Sequence, residues 1–185
     1  GNLTALLAAR QAVKEYDVWA SGVQGDLAVM VSSESHYSVD RSVKIMGLGD
    51  SGVIKLPVRN HKIRVDSLPR MLEQANSEGK KVMALVGNAC STSTGIYDHN
   101  DEMADFCQEN RIWFHVDGAH GGAAILSDKY RYLTKGIERA DSIVIDFHKM
   151  MLTPALSTAV LFKDGKRSYE SFAQKASYLL DKNGE

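Results

Sequence analysis

The chain has 185 residues, with 22 Lys or Arg against 23 Asp or Glu, and its formal charge of −1 gives no reason to expect a nucleic-acid partner or a charged membrane surface. Hydrophobic residues make up 44% and charged residues 24%, the balance of a globular domain that can bury roughly 70% of its unfolded surface, so disorder is excluded as the default. Two cysteines, Cys90 and Cys107, are too few for a disulfide scaffold, and no apolar run reaches the ~18 residues of a membrane span, so a soluble protein of the reducing cytoplasm is expected.

Taken in order, residues 3–16 read as a helix with Asn2 at the cap position. No strand precedes it, so the chain is expected to be a piece of a longer protein that starts in mid-fold; residues 179–185 are an apolar helix end followed by a polar tail. Leu27-Ala28-Val29-Met30-Val31 is a continuous apolar run of the kind that suits a strand covered on both faces. A helix over about 37–48, a strand over 52–56, and a helix capped by Asp66 and ended by Gly79 follow. Residues 81–86 read as a buried strand, 98–110 as a helix, and 112–116, 141–145 and 158–162 as further strands. This alternation implies one α/β domain over 1–185, a three-layer, mostly parallel sheet with helices on both faces.

In such sheets ligands collect where strands end, so the polar clusters just past the apolar runs carry the functional argument. They are Ser32-Ser33-Glu34-Ser35-His36, Asn88-Ala89-Cys90-Ser91-Thr92-Ser93-Thr94-Gly95, Asp117-Gly118-Ala119-His120-Gly121-Gly122 and Asp146-Phe147-His148-Lys149, and all four are expected at one edge. Lys149 follows a dry strand; burial disfavours the ammonium and makes lysine a nucleophile able to form a Schiff base, although a lone lysine at a strand end more often snorkels to water. Asp117 follows Ile112-Trp113-Phe114-His115-Val116, and the small Gly118 and Ala119 leave room for a flat ring; a buried carboxylate needs a donor partner such as a protonated pyridine nitrogen, while the plainer reading is a helix cap. His36 reads either as a ring stacked on a ligand or as a hydrogen-bonded core histidine, and Ser91 to Thr94 either as a hydroxyl site or as a polar turn. The histidines 115, 120 and 148 have no zinc spacing, no metal is expected, and no phosphate-loop or dinucleotide fingerprint is present.

In their order these segments resemble the pyridoxal-phosphate-dependent group II amino-acid decarboxylases. The resemblance covers nearly the whole chain and rests on five segments: residues 2–10, Ser35-His36-Tyr37-Ser38, His115-Val116-Asp117-Gly118-Ala119-His120-Gly121-Gly122, Gly136-Ile137-Glu138-Arg139-Ala140-Asp141-Ser142 and Asp146-Phe147-His148-Lys149-Met150. It implies the aspartate-aminotransferase type of fold, with this chain a partial large domain lacking the N-terminal segment and the C-terminal small domain. It also implies a homodimer in the full-length form, an amino-acid substrate, and decarboxylation to the amine and carbon dioxide.

By the same resemblance Lys149 is the Schiff-base lysine, Asp117 the carboxylate paired with the pyridinium, and His36 the residue stacked on the ring. Ala119 lies against the other ring face, His148 reaches the phosphate, and Ser91 and Thr92 stand near the ring oxygen. The resemblance places the family's Gly/Ser/Thr-rich phosphate turn just upstream of the first helix, with Gly1 expected to be its last trace in this chain, while Gly118 and Cys90 replace the usual Ala and Gly. Another lyase or an aminotransferase on the same fold, or an inactive remnant, are the competing expectations. The segment after Lys149 looks more like the diaminobutyrate and sulfinoalanine branches than the aromatic one.

Overall fold

Apolar runs of alternating length become strands and helices in turn. The structure is a computed structural model that describes residues 1–13 and 16–173. Its elements are α1 (Asn2–Gln11), α2 (Val18–Ser21), β1 (Asp26–Ser32), α3 (Tyr37–Ile45), β2 (Val53–Leu56), β3 (Val58–Arg59), β4 (Lys62–Ile63), α4 (Leu68–Ser77), β5 (Lys80–Asn88), α5 (Asn100–Asn110), β6 (Trp113–Asp117), β7 (Ser142–Asp146), β8 (Thr158–Phe162) and α6 (Gly165–Phe172), with short 3-10 turns between β6 and β7. The main sheet runs β2-β1-β5-β6-β7-β8. Its pairs are parallel except β7 with β8, so the expected three-layer, mostly parallel α/β fold is what the chain adopts.

Strand periodicity divides the interior into two cores, since successive side chains point to opposite faces. Val29, Val31, Ala84 and Val86 pack with Leu6, Ala9, Val39 and Val43, which places α1 and α3 on one face. Met30, Leu85, Phe114 and Val116 pack on the other with Leu68, Ala75, Met103 and Phe106 of α4 and α5. Connections leave β1 towards β2 on one side and, later, towards β5 on the other, so the topology switches between β1 and β5. A crevice opens at the carboxyl ends of strands at such a point. Among the described residues no helix is long and apolar enough to cross a membrane.

Local chemistry moved several boundaries. The first helix ends at Gln11 and a second begins at Val18, because the Asp17 side chain accepts from the backbone N–H groups of Trp19 and Ala20 and starts a new helix. Asp66 does not cap α4: its carboxylate is drawn to Arg64, 2.5 Å away, and a 3-10 turn over Val65–Ser67 leads into the helix instead. Asp98 lies before α5 and serves elsewhere, as described below. The β3–β4 hairpin has arms of two residues, too short to show alternation, and its turn is made by Asn60 and His61, both at positive φ. The tail over 179–185 lies outside the described residues.

Candidate active site

The four polar clusters follow β1, β5, β6 and β7, which are consecutive neighbours in the sheet and parallel, so their carboxyl ends line one edge as expected. Period two then decides what β6 offers there: Trp113, His115 and Asp117 share the face covered by α1. His115 is fully buried and Asp117 is 7% exposed.

Asp117 is held from two sides. Its Oδ2 accepts from Asn2 Nδ2 at 2.8 Å, and its Oδ1 from the Ala119 backbone N–H at 3.2 Å. Asn2 also donates to Ser38 Oγ at 2.9 Å, and Ser38 Oγ lies 2.7 Å from His36 Nδ1. Sequence reasoning placed Asn2 at the helix cap, but Gly1 is the cap residue and makes no side-chain bond; Asn2 is the first helical residue, and its amide turns inward to a carboxylate that would otherwise be buried without a side-chain donor. His115 completes the set, with Nε2 at 3.0 Å from Asn2 Oδ1 and Nδ1 at 2.9 Å from Ser142 Oγ. Burial pushes its imidazole down to about 4, against the opposing pull of Asp117.

No Lys or Arg among the described residues forms an ion pair with Asp117, although a carboxylate this buried calls for a cation or a further donor. Lys149 is the amine brought to the same edge. It does not occupy a dry strand end: it sits on the turn after β7, its side chain is 38% exposed, and its Nζ lies 2.7 Å from Asp146 Oδ2. The reason is that β7 ends at Asp146, and the next residues turn back so that Phe147 N–H donates to Ser157 O. Burial opposes charge on Asp146, yet hydrogen bonds from Lys149 and Thr158 outweigh it and hold its carboxyl below the usual range.

The two groups are linked through one residue. Ala119 donates its N–H to Asp117 and accepts from the Asp146 N–H at 3.1 Å, so the turns bearing Asp117 and Lys149 are stitched together. Cys90 lies within the electrostatic reach of both: burial raises its thiol pKa, Asp117 adds to the rise and Lys149 opposes it. Gly121 allows this loop to dock, since a Cβ there would stand 2.5 Å from Tyr97 Oη and 2.6 Å from the Cys90 nitrogen. A Cβ at Gly118 would stand 3.1 Å from the Val144 carbonyl oxygen, so its smallness serves strand packing, while Ala119 is half-buried at the site.

The remaining candidates are unequal. His36 caps α3, its Nδ1 accepting from the Ser38 N–H at 3.3 Å. Ser91 is buried and donates to Glu34 O at 3.3 Å, whereas Thr92 is exposed. His148 Nδ1 lies 2.9 Å from Ser157 O and 3.1 Å from Ser157 N, closing the turn that carries Lys149 and leaving Nε2, 3.9 Å from Asp146, as its outward nitrogen. Sequence reasoning missed Ser38, Ser142 and Asp98. Asp98, buried, accepts from the backbone of Ile63 and from both the backbone and side chain of Asn88, which in turn accepts from Ser35; it fastens the hairpin and the β1 and β5 loops together. No local pattern marks such a residue, because its partners are 10 and 35 positions away.

Comparison with known proteins places the chain in a family. The model for the pyridoxal-dependent decarboxylase conserved domain matches residues 1–185, and the chain belongs to that family. It is 33% identical over 181 residues to an aromatic-L-amino-acid decarboxylase of Bacillus atrophaeus, covering 97% of this chain and 36% of the relative. An aspartate 1-decarboxylase of Aliivibrio fischeri is 38% identical over 160 residues, 86% of this chain and 29% of the relative. The crystal structure of mouse CSAD superposes with a TM-score of 0.91 at 30% identity, covering 98% of this chain and 38% of that one. The chain thus spans between 29% and 38% of the length of these proteins.

Proposed function

We propose that the protein carrying this chain is a pyridoxal-phosphate-dependent carboxy-lyase that converts an amino acid to its amine and carbon dioxide. The observation that carries this reading is a buried carboxylate with no cationic partner among the described residues, stitched through Ala119 to a turn bearing an accessible lysine. The donor set suits the cofactor: Lys149 offers an amine for its aldehyde, Asp117 an acceptor for its ring N–H, and His36 and Ala119 flanking groups. Thr92 and the outward Nε2 of His148 are the candidate donors for its oxygens, and Ser91 would join them by turning its hydroxyl from the Glu34 carbonyl. When bound, the cofactor supplies an electrophilic carbon and a protonated ring able to take up the electron pair left by a departing carboxylate.

The chain's own residues then have separable tasks. Asp117, dry and held at both oxygens, keeps a proton on a ring nitrogen more firmly than water would, since a low-dielectric site strengthens the attraction. Asp146 holds the Lys149 ammonium at the mouth of the site until the amine is needed. The named relatives act on aromatic amino acids and aspartate, which supports an α-amino acid as substrate without selecting its side chain. We also assign the complete protein to the cytoplasm as a homodimer; Leu126, Leu152 and Leu156, all exposed, are the apolar surface that a second copy would shield.

The test is borohydride reduction of the complete protein mixed with pyridoxal phosphate, followed by peptide mapping. A pyridoxyl adduct on Lys149, absent from Lys149→Ala, is expected, and carbon dioxide release rather than keto-acid formation is expected from an amino-acid panel. An unmodified Lys149 would overturn the cofactor assignment; keto-acid as the main product would favour an aminotransferase.

A further inference from the structure

The hydrogen bonds around Asn2 can be given a direction from donor inventory alone. Asn2 is 9% exposed, and its amide meets Asp117 Oδ2, Ser38 Oγ and His115 Nε2. A carboxylate only accepts, so the amide NH2 faces Asp117; the reverse orientation would set two acceptor oxygens 2.8 Å apart in a dry site. With the NH2 donors spent on Asp117 and Ser38, Oδ1 faces His115, whose Nε2 must carry the proton. His115 Nδ1 is then bare and takes the Ser142 hydroxyl, which is nearer at 2.9 Å than the Ser142 carbonyl at 3.1 Å. That hydroxyl is free to donate because its lone pair accepts from Trp113 Nε1 at 2.8 Å.

The same logic runs outward. Ser38 Oγ receives an Asn2 proton, which directs its own proton to His36 Nδ1 at 2.7 Å, and the Ser38 backbone N–H points at the same nitrogen. We propose that Asn2 and Ser38 are positioning residues, the outer links of a one-way hydrogen-bond relay from Trp113 through Ser142 and His115. The relay fixes the Asp117 carboxylate and holds His36 in the tautomer protonated at Nε2. The proton arrangement does not depend on the cofactor assignment, but its use in catalysis rests on it. His115 staying neutral, as its burial requires, keeps the relay from reversing.

The test uses the complete protein labelled with 15N-histidine, without and with pyridoxal phosphate, the His36 signals being assigned by their loss in His36→Gln. The expected spectrum shows His36 with a bare Nδ1 and a protonated Nε2. Ser38→Thr, which keeps the hydroxyl, should preserve that pattern and the turnover. Ser38→Ala and Asn2→Leu should give mixed tautomers and a kcat lowered about tenfold or more, since misaimed groups lose rate steeply. A wild-type His36 protonated at Nδ1, or an unchanged tautomer in Ser38→Ala, would overturn the relay. The expected tautomers in a protein that fails to bind pyridoxal phosphate would support the relay and sink the cofactor reading instead.

Discussion

The two sides of the site are built on opposite principles. Around Asp117 the side chains of Asn2, His115 and Ser142 are buried and that of Ser38 half-buried, and all four are committed to one another across helix and sheet. Around Lys149 the chain is a turn at the junction with the antiparallel strand β8, half open to solvent, with one carboxylate as the only charged anchor of the amine among the described residues. On the function proposed above, a carboxylate holding a proton in place would gain from rigidity and dryness, whereas an amine reached by a substrate would gain from access. The contrast predicts that perturbing the first side costs stability and rate together, and that perturbing the second costs little stability.

The largest expected effect is on rate. Asp117→Ala in the complete protein should lower kcat by roughly 10²–10³, the usual loss when a preorganised charge facing a reacting group is removed. Cofactor capture should change much less, because Lys149 is untouched; parallel measurement of turnover and of cofactor absorbance separates the two. Next comes stability. His115 titrates at about 4 in the fold against 6.5 unfolded, so between those values the unfolded chain binds a proton that the folded one refuses. Stability is therefore fully present above about pH 6.5 and should fall by roughly 3 kcal/mol as the pH drops to 4. Urea titrations at both pH values should show this slope in the wild type and its loss in His115→Phe. An unchanged slope would mean that the carboxylate side is wetter than its burial implies.

How far the sequence foretold this can be followed residue by residue. The strands were legible because β1, β5 and β6 are continuous apolar runs, and their parallel order brought His36, Ser91, Asp117 and Lys149 to one edge. The placement of Lys149 on a partly open turn rather than at a dry strand end was not legible, since it depends on β7 stopping at Asp146 and on the turn closed by His148 and Ser157. Asn2 was misread for a related reason. Cap preference is a local statistic, and what settles this side chain is a carboxylate 115 positions away that only the folded sheet presents to it. The same holds for Asp98, claimed by Asn88 and Ile63, whereas Asp66 is claimed by a local competitor, Arg64 two residues before it.

The smallest effect is the one that sharpens the contrast most. Asp146 carries Lys149 on Oδ2 and the Thr158 hydroxyl on Oδ1, and its carboxyl titrates below the ordinary value. Its contribution to stability is therefore present above the unfolded value of about 3.9 and is lost as the pH falls through the lower folded value. Asp146→Asn keeps the shape but removes the charge, and at pH 7 it should cost about 1 kcal/mol, because its partner Lys149 is more than a third exposed and water screens the pair. The deficit relative to wild type should shrink in urea titrations taken towards pH 3 and should shrink also in high salt. A cost as large as that expected for His115, insensitive to salt, would mean that the lysine turn is as firmly tied as the carboxylate and that the two sides do not divide their labour in this way.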